Sequence, residues 1–274
     1  MLRSLIPATV GLSMALSWPA VAASDLIDRY YAALHMDEVF EVLHNEGVQA
    51  GESMTEEGQV SASPAWTARL ESIYQIEKMD ILFRDTLKNF GDLSGSEEAI
   101  EFFESELGER IARLELDARV ALADTALEDE TREHVAIMRD VRDPRVALYE
   151  QFVEVNELID SNVSGALNAN LAFYRGLASN PAFEGGLTEE FMLTTVWEQE
   201  EQIREDMADW TMNFSTLAYS SLTEEEVQEY INISATPAGQ KLNTALFAGF
   251  DDVFELHSFE LGRATAEFSV GDDI

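Results

Sequence analysis

From residue 25 onward, apolar side chains recur every three or four positions almost without interruption, and no run alternates β-branched with polar residues. That period brings one apolar stripe to one side of an α-helix, so the chain reads as all-α. A first helix is expected over about 25–45, on Leu26, Tyr30, Leu34, Val39 and Leu43. The stretch "NEGVQAGESMTEEGQVSASP" (45–64) loses the period and reads as a loop with room for one short helix. A long helix follows over about 65–90, marked by Trp66, Leu70, Ile73, Ile76, Met79, Phe83, Leu87 and Phe90. "GDLSGSEE" is punctuation, with Asp92, Ser94 or Ser96 as candidate caps for the helix "EEAIEFFESE". A turn at Leu107–Gly108 leads into "ERIARLELDARVALADTAL". The charged stretch from Glu128 to Ile159 is helical, with Pro144 in the first turn of a new helix after Asp143. "SNPAFEGGLTEE" is a loop ending in a helix start at Thr188. The next helix, about 188–220, carries Val196, Ile203, Met207, Trp210, Phe214 and Leu217 in one stripe.

Punctuation fixes the C-terminal part. Thr223 followed by Glu226 is a capping-box pattern. Thr236-Pro237 must close the helix that Thr223 opens, because the residue before proline is pushed out of α geometry while proline itself fits a helix's first turn. Gly239 then permits close backbone approach at that corner. A last helix runs to about Phe268, and "SVGDDI" is a frayed tail.

The first residues, "MLRSLIPATVGLSMALSWPAVAAS", combine Arg3, an apolar stretch too short to span a bilayer, and small residues at Ala20, Ala22 and Ala23. They read as a cleaved signal peptide over 1–23. The mature chain would begin near Ser24 and reside in a bacterial periplasm or outside the cell. No cysteine stands at the cleavage point for lipid attachment, and no later stretch reaches transmembrane length. The chain has no cysteine at all, which excludes disulfides and thiolate chemistry.

Fifty-three acidic residues face 17 basic ones, a formal net charge of −36. The excess is spread over both halves: 30 acids and 12 bases over 24–150, then 23 acids and 4 bases over 151–274. Nucleic acid and anionic membrane are excluded as partners, because phosphate contacts need clustered Lys and Arg. A hydrophobic content of 46% excludes disorder.

Shifted by 131 residues, the chain repeats its apolar pattern. Trp66 falls on Trp197, Phe83 on Phe214, Ile100 on Ile231, Gly108 on Gly239 and Ile111 on Leu242. Identities are few, but helix, cap, short helix, glycine corner and long helix follow in the same order. The expectation is a duplicated bundle, with an N-terminal half over 24–143 and a C-terminal half over 144–274.

The corner "LTEEEVQEYINISATPAGQKL" (222–242) resembles a family of secreted bacterial proteins, the domain of unknown function 2059 family. Its pattern is a threonine-capped acidic helix start, an aromatic pair, then Ser/Thr-Pro-x-Gly-Gln-Lys. Here Thr223, Thr236, Pro237 and Gly239 match. In "EEAIEFFESELGERI" (97–111), Phe102 and Phe103 match the aromatic pair, and Ser105, Gly108, Glu109 and Arg110 match the corner. Glu106 stands where proline is expected, and Ile233-Ser234 where the aromatics are. The resemblance implies a helical fold and export, and transfers no catalytic residue.

No catalytic constellation, metal site or cofactor motif emerges. His35, His44, His134 and His257 form no paired zinc spacing. Glu41-x-x-His44 is a single carboxylate–histidine motif where a di-iron bundle needs two. Neither a nucleophile elbow nor a phosphate loop is present, and acidic pairs such as Asp251-Asp252 and Asp272-Asp273 lack the EF-hand pattern. The reading is a non-catalytic module that binds a protein or peptide partner between helices. Two other classes stay open: a carboxylate-based metal-dependent enzyme, and an envelope ion-binding or stress protein.

Overall fold

A computed structural model describes residues 19–89, 93–181 and 186–269. Thirteen helices occupy these residues: α1 (Pro19–Ala33), α2 (Met36–Glu56), α3 (Pro64–Ile73), α4 (Ile76–Asn89), α5 (Glu97–Phe103), α6 (Glu106–Ala121), α7 (Thr125–Val141), α8 (Pro144–Val155), α9 (Leu158–Ala178), α10 (Glu189–Trp197), α11 (Glu200–Ala218), α12 (Glu224–Ser234) and α13 (Pro237–Phe268). The chain is all-α. A lone backbone bridge, Val60 to Ser269, is the sole β pairing among the described residues. Most of the expected leader lies outside those residues; its last positions, from Pro19, stand in the backbone of α1. Asp92, Phe90 and the Asp272-Asp273 pair also lie outside them, as does part of the loop after α9.

Capping chemistry sets the helix starts. The Thr223 hydroxyl accepts the Glu226 amide at 3.2 Å, and Glu226 accepts the Thr223 amide at 2.9 Å, closing the expected box. Asp143 accepts the Arg145 amide at 3.0 Å with Pro144 in the first turn, and Thr188 accepts the Phe191 amide at 3.2 Å. Ser96 stands at the N-terminus of α5, but its hydroxyl bonds back to the Leu93 carbonyl and caps nothing forward.

Five expected elements are corrected, one of them the helix expected to run on to Ile159, which breaks at Glu157, where the backbone is left-handed (φ 51°). The first helix is broken at His35, whose left-handed backbone (φ 52°) separates α1 from α2. Of the expected loop over 45–64, the part up to Glu56 is instead the second half of α2, and the stretch from there to α3 stays non-helical. The two glycines of α2 are contact points rather than breakers: a β-carbon on Gly47 would lie 2.3 Å from the Tyr74 ring, and one on Gly51 would lie 2.2 Å from Leu70. The expected helix over 65–90 divides at Tyr74 and Gln75 into α3 and α4, and the one over 188–220 divides at Glu198 and Gln199 into α10 and α11.

The two elbows share one geometry. Ser105 accepts the Gly108 amide at 3.2 Å, and Thr236 accepts the Gly239 amide at 3.0 Å. A β-carbon on Gly108 would lie 2.0 Å from the Phe102 carbonyl oxygen, and one on Gly239 would lie 2.2 Å from that of Ile233. Each glycine lets a helix start pass directly under the end of the preceding helix. The divisions of the long helices upstream do not fall at equivalent positions.

Helix α13 is the spine, packing on α9 along its length and meeting α3, α4, α5 and α12. Residues of both halves enter one principal core, from Ile27, Phe40 and Phe83 to Tyr149, Tyr219, Ile231 and Val253. A smaller core gathers Trp66, Leu70, Ile73 and Ala264 where α3 meets the end of α13. The few cations tie helices together: Arg29 to Glu104, Arg113 to Glu38, Arg119 to Glu46 and Arg110 to Glu226.

Candidate functional site: a half-buried carboxylate in an aromatic cavity

Helix α6 buries Ile111, Ala118 and Leu122 along one stripe. Glu115 occupies the same stripe, one turn beyond Ile111. Its Oε1 accepts the hydroxyl of Tyr219 at 2.6 Å and that of Tyr230 at 3.1 Å. Among the described residues, Oε2 takes no hydrogen bond. Burial pushes the Glu115 carboxyl up to about 6, opposed by the two tyrosine hydrogen bonds. Both hydroxyls are raised well above the ordinary tyrosine value, first by burial and then by the Glu115 charge.

The tyrosines are held by an aromatic cluster. Tyr219 ends α11 and Tyr230 lies on α12, with ring centroids 6.1 Å apart and edge to face. Phe152 packs on both, at 5.3 Å and 4.9 Å, and Phe102 stacks flat on Tyr230 at 5.8 Å.

Glu115 opens onto two adjoining chambers of about 220 Å³ and about 480 Å³. Val39, Trp210, Phe214, Tyr230 and Phe250 belong to the walls of both. Trp210 and Phe214 are stacked at 5.2 Å. They belong to the expected apolar stripe of α11, stay half-buried and line the cavity. The buried residues of α11 beside them include Thr211 and Ser215, whose hydroxyls are satisfied by carbonyls one turn back. Tyr30, only 1% exposed, lines the smaller chamber with a hydroxyl that has no partner among the described residues. Arg119 also reaches the walls, but its guanidinium is engaged by Glu46 at 3.1 and 2.7 Å. At the far end of the larger chamber the Asp251 carboxyl is raised by burial, then by Asp252 and Glu255.

The residues singled out from sequence divide into frame and wall. Phe103 and Gly239 touch the smaller chamber. Ser105, Gly108, Thr223, Thr236 and Pro237 build the elbows that aim α6, α12 and α13. Gln240, in the same motif, donates to the carbonyls of Val155 and Ser234 at 2.8 and 2.9 Å, fastening the ends of α8 and α12 to the corner. Lys241 donates to the Ser94 carbonyl.

Glu41 and His44 do not act together. The His44 Nδ1 meets the Tyr74 carbonyl at 2.7 Å, and Nε2 lies 3.5 Å from Glu71. No group of three or more His, Asp or Glu that could hold a metal occurs among the described residues, and no described helix is long and apolar enough to cross a membrane.

The fold and site define an all-α bundle with a carboxylate-bearing aromatic cavity between its helices. No family model, curated protein or solved structure matches the chain.

Proposed function

We propose that the protein is an exported, non-catalytic binding module that takes an apolar group of a protein or peptide partner into the cavity between α2, α6, α11, α12 and α13. The observation that carries this reading is the cavity itself, with Trp210, Phe214 and Phe250 half-buried around unfilled space. Folding alone favours a filled core, because voids forfeit contacts on their walls. Concave, mostly apolar space with a few convergent polar groups is the usual form of a ligand site.

Export is supported by the composition of residues 1–23, and cleavage there would leave Ser24 and Asp25 at the start of α1, residue types favoured at helix N-termini. The recurrence of one elbow geometry 131 residues apart supports descent of the halves from one unit. The Thr-Pro-x-Gly-Gln-Lys corner supports kinship with the secreted family that it resembles.

The test is a titration with the neutral apolar fluorophore N-phenyl-1-naphthylamine. Saturable enhancement in the wild type, lost when Leu246→Trp fills the wall shared by both chambers, is the expected result. Absence of saturable binding, or binding that survives L246W unchanged, would overturn the reading. N-terminal sequencing of protein recovered from the cell envelope, expected to start near Ser24, tests export.

A further inference from the structure

We infer that the cavity selects an apolar primary ammonium group, with the charged head on the free oxygen of Glu115 and the body among the aromatic walls. The inference rests on the binding reading above and names its chemistry.

Three observations converge. First, Glu115 presents Oε2 without a protein donor, while Tyr219 and Tyr230 hold Oε1 and fix the carboxylate's orientation. Second, Arg119, the cation on the wall of the smaller chamber, is matched by Glu46, so Glu115 is left without a cationic partner there. A carboxylate ligand would set a second anion beside the first, whereas an ammonium neutralises it and supplies the missing donor. Third, the rings of Trp210, Phe214 and Tyr230 all line the smaller chamber, and aromatic rings attract organic cations.

The test compares octylamine, octanol and octanoate, equal in chain length and different in head group. Binding is read by calorimetry near neutral pH, in enough salt to screen the acidic surface. Octylamine is expected to bind about tenfold or more tightly than the other two, the range of a charge-assisted hydrogen bond over a neutral one. E115Q is expected to abolish the advantage of octylamine over octanol, with a melting curve confirming that the variant is folded. Octanoate binding as tightly as octylamine would overturn the inference while sparing the apolar site. An amine preference that persists in E115Q would also overturn it, by tracing the preference to the surface charge. The wild-type ranking needs no variant, and failure of all three compounds to bind would remove the site altogether.

Discussion

Gly176 on α9 and Gly262 on α13 sit reciprocally against each other's helix backbone. A β-carbon on Gly176 would lie 2.1 Å from the Phe259 carbonyl oxygen, and one on Gly262 would lie 2.1 Å from that of Phe173. No side chain can move aside to admit it, so either methyl must push the two longest-packed helices apart. Alanine gains roughly 1 kcal/mol of helix propensity over glycine, but overpacking against rigid backbone costs about 3 kcal/mol or more. Gly176→Ala and Gly262→Ala are each expected to lower stability by about 2 kcal/mol. Gly165→Ala is the internal control. Its nearest neighbour, at 2.6 Å, is the Asp251 carboxylate tip, which can swing away, so this variant should be neutral or slightly stabilised. Urea denaturation of the three variants checks the contrast, and equal losses in all three would refute the backbone argument.

Glu115 should weaken the fold above pH 6. Its carboxyl is raised to about 6 in the folded chain against an ordinary 4.5, so the folded state holds the proton more tightly. The group's favourable contribution is complete below about 4.5 and is lost as pH rises through about 6, a difference of about 2 kcal/mol. E115Q keeps an acceptor for the tyrosines and removes the ionisation. It is expected to be more stable than wild type above pH 6, with the difference shrinking towards zero near pH 4. Guanidinium melts of both proteins across that range test the sign.

How far the sequence reaches depends on what each feature is made of. The Thr223 box, the Asp143-Pro144 start and the Thr236–Gly239 elbow were legible because a cap is local chemistry within four residues. The breaks at His35 and Glu157 were not, because each is a left-handed corner on a residue other than glycine, imposed by packing. Gly47 and Gly51 suggested a loop, yet they mark where Tyr74 and Leu70 press on α2. Glu115 is one of 53 acids and no local motif marks it, although its register is a usable signal. It falls on the Ile111–Ala118–Leu122 stripe, where solvated carboxylates do not belong. Its partners, Tyr219 and Tyr230, are over 100 positions away, a distance that no local pattern spans.

His257 should make the chain acid-sensitive. It is buried on α13 with its ring edge to face on Tyr74, at 5.0 Å between centroids. Burial, then Lys78, lowers its pKa from 6.5 to about 4. A depressed histidine stabilises the fold above about 6.5, and that contribution drains as pH falls through about 4, up to about 3 kcal/mol. His257→Leu, apolar and of similar volume, should flatten this part of the acid profile relative to wild type. A variant that loses stability in parallel with wild type between pH 6.5 and 4 would contradict the assignment.

The elbows yield a graded series. Thr223→Ala removes one side of the capping box and is expected to cost about 1 kcal/mol. Gly239→Ala meets the Ile233 carbonyl and the Ser234 α-carbon, at 2.2 and 2.8 Å, and Gly108→Ala meets their counterparts, Phe102 and Phe103, at 2.0 and 2.5 Å. These two should cost about 2–3 kcal/mol each and lie close to one another. Thermal melts rank the set, and a Gly239→Ala variant milder than Thr223→Ala would show that the elbow can relax.

Salt should stabilise the protein. At low ionic strength the 53 acids repel one another over a Debye length of about 30 Å, far beyond the ion pairs that offset them. Added salt weakens both terms. The clamps Arg29–Glu104, Arg113–Glu38 and Arg119–Glu46 are partly exposed, and such pairs contribute about 0–1 kcal/mol each. Repulsion among the remaining acids is spread over the whole surface, so screening removes more repulsion than attraction. The melting temperature is therefore expected to rise with sodium chloride and to level off once the Debye length nears the spacing between charges. Calcium chloride at matched ionic strength separates screening from site binding: equal shifts mean screening alone, while an additional saturable rise with calcium would favour the ion-binding reading. A melting temperature that falls as sodium chloride is added would mean that the arginine clamps, rather than acid repulsion, dominate the surface electrostatics.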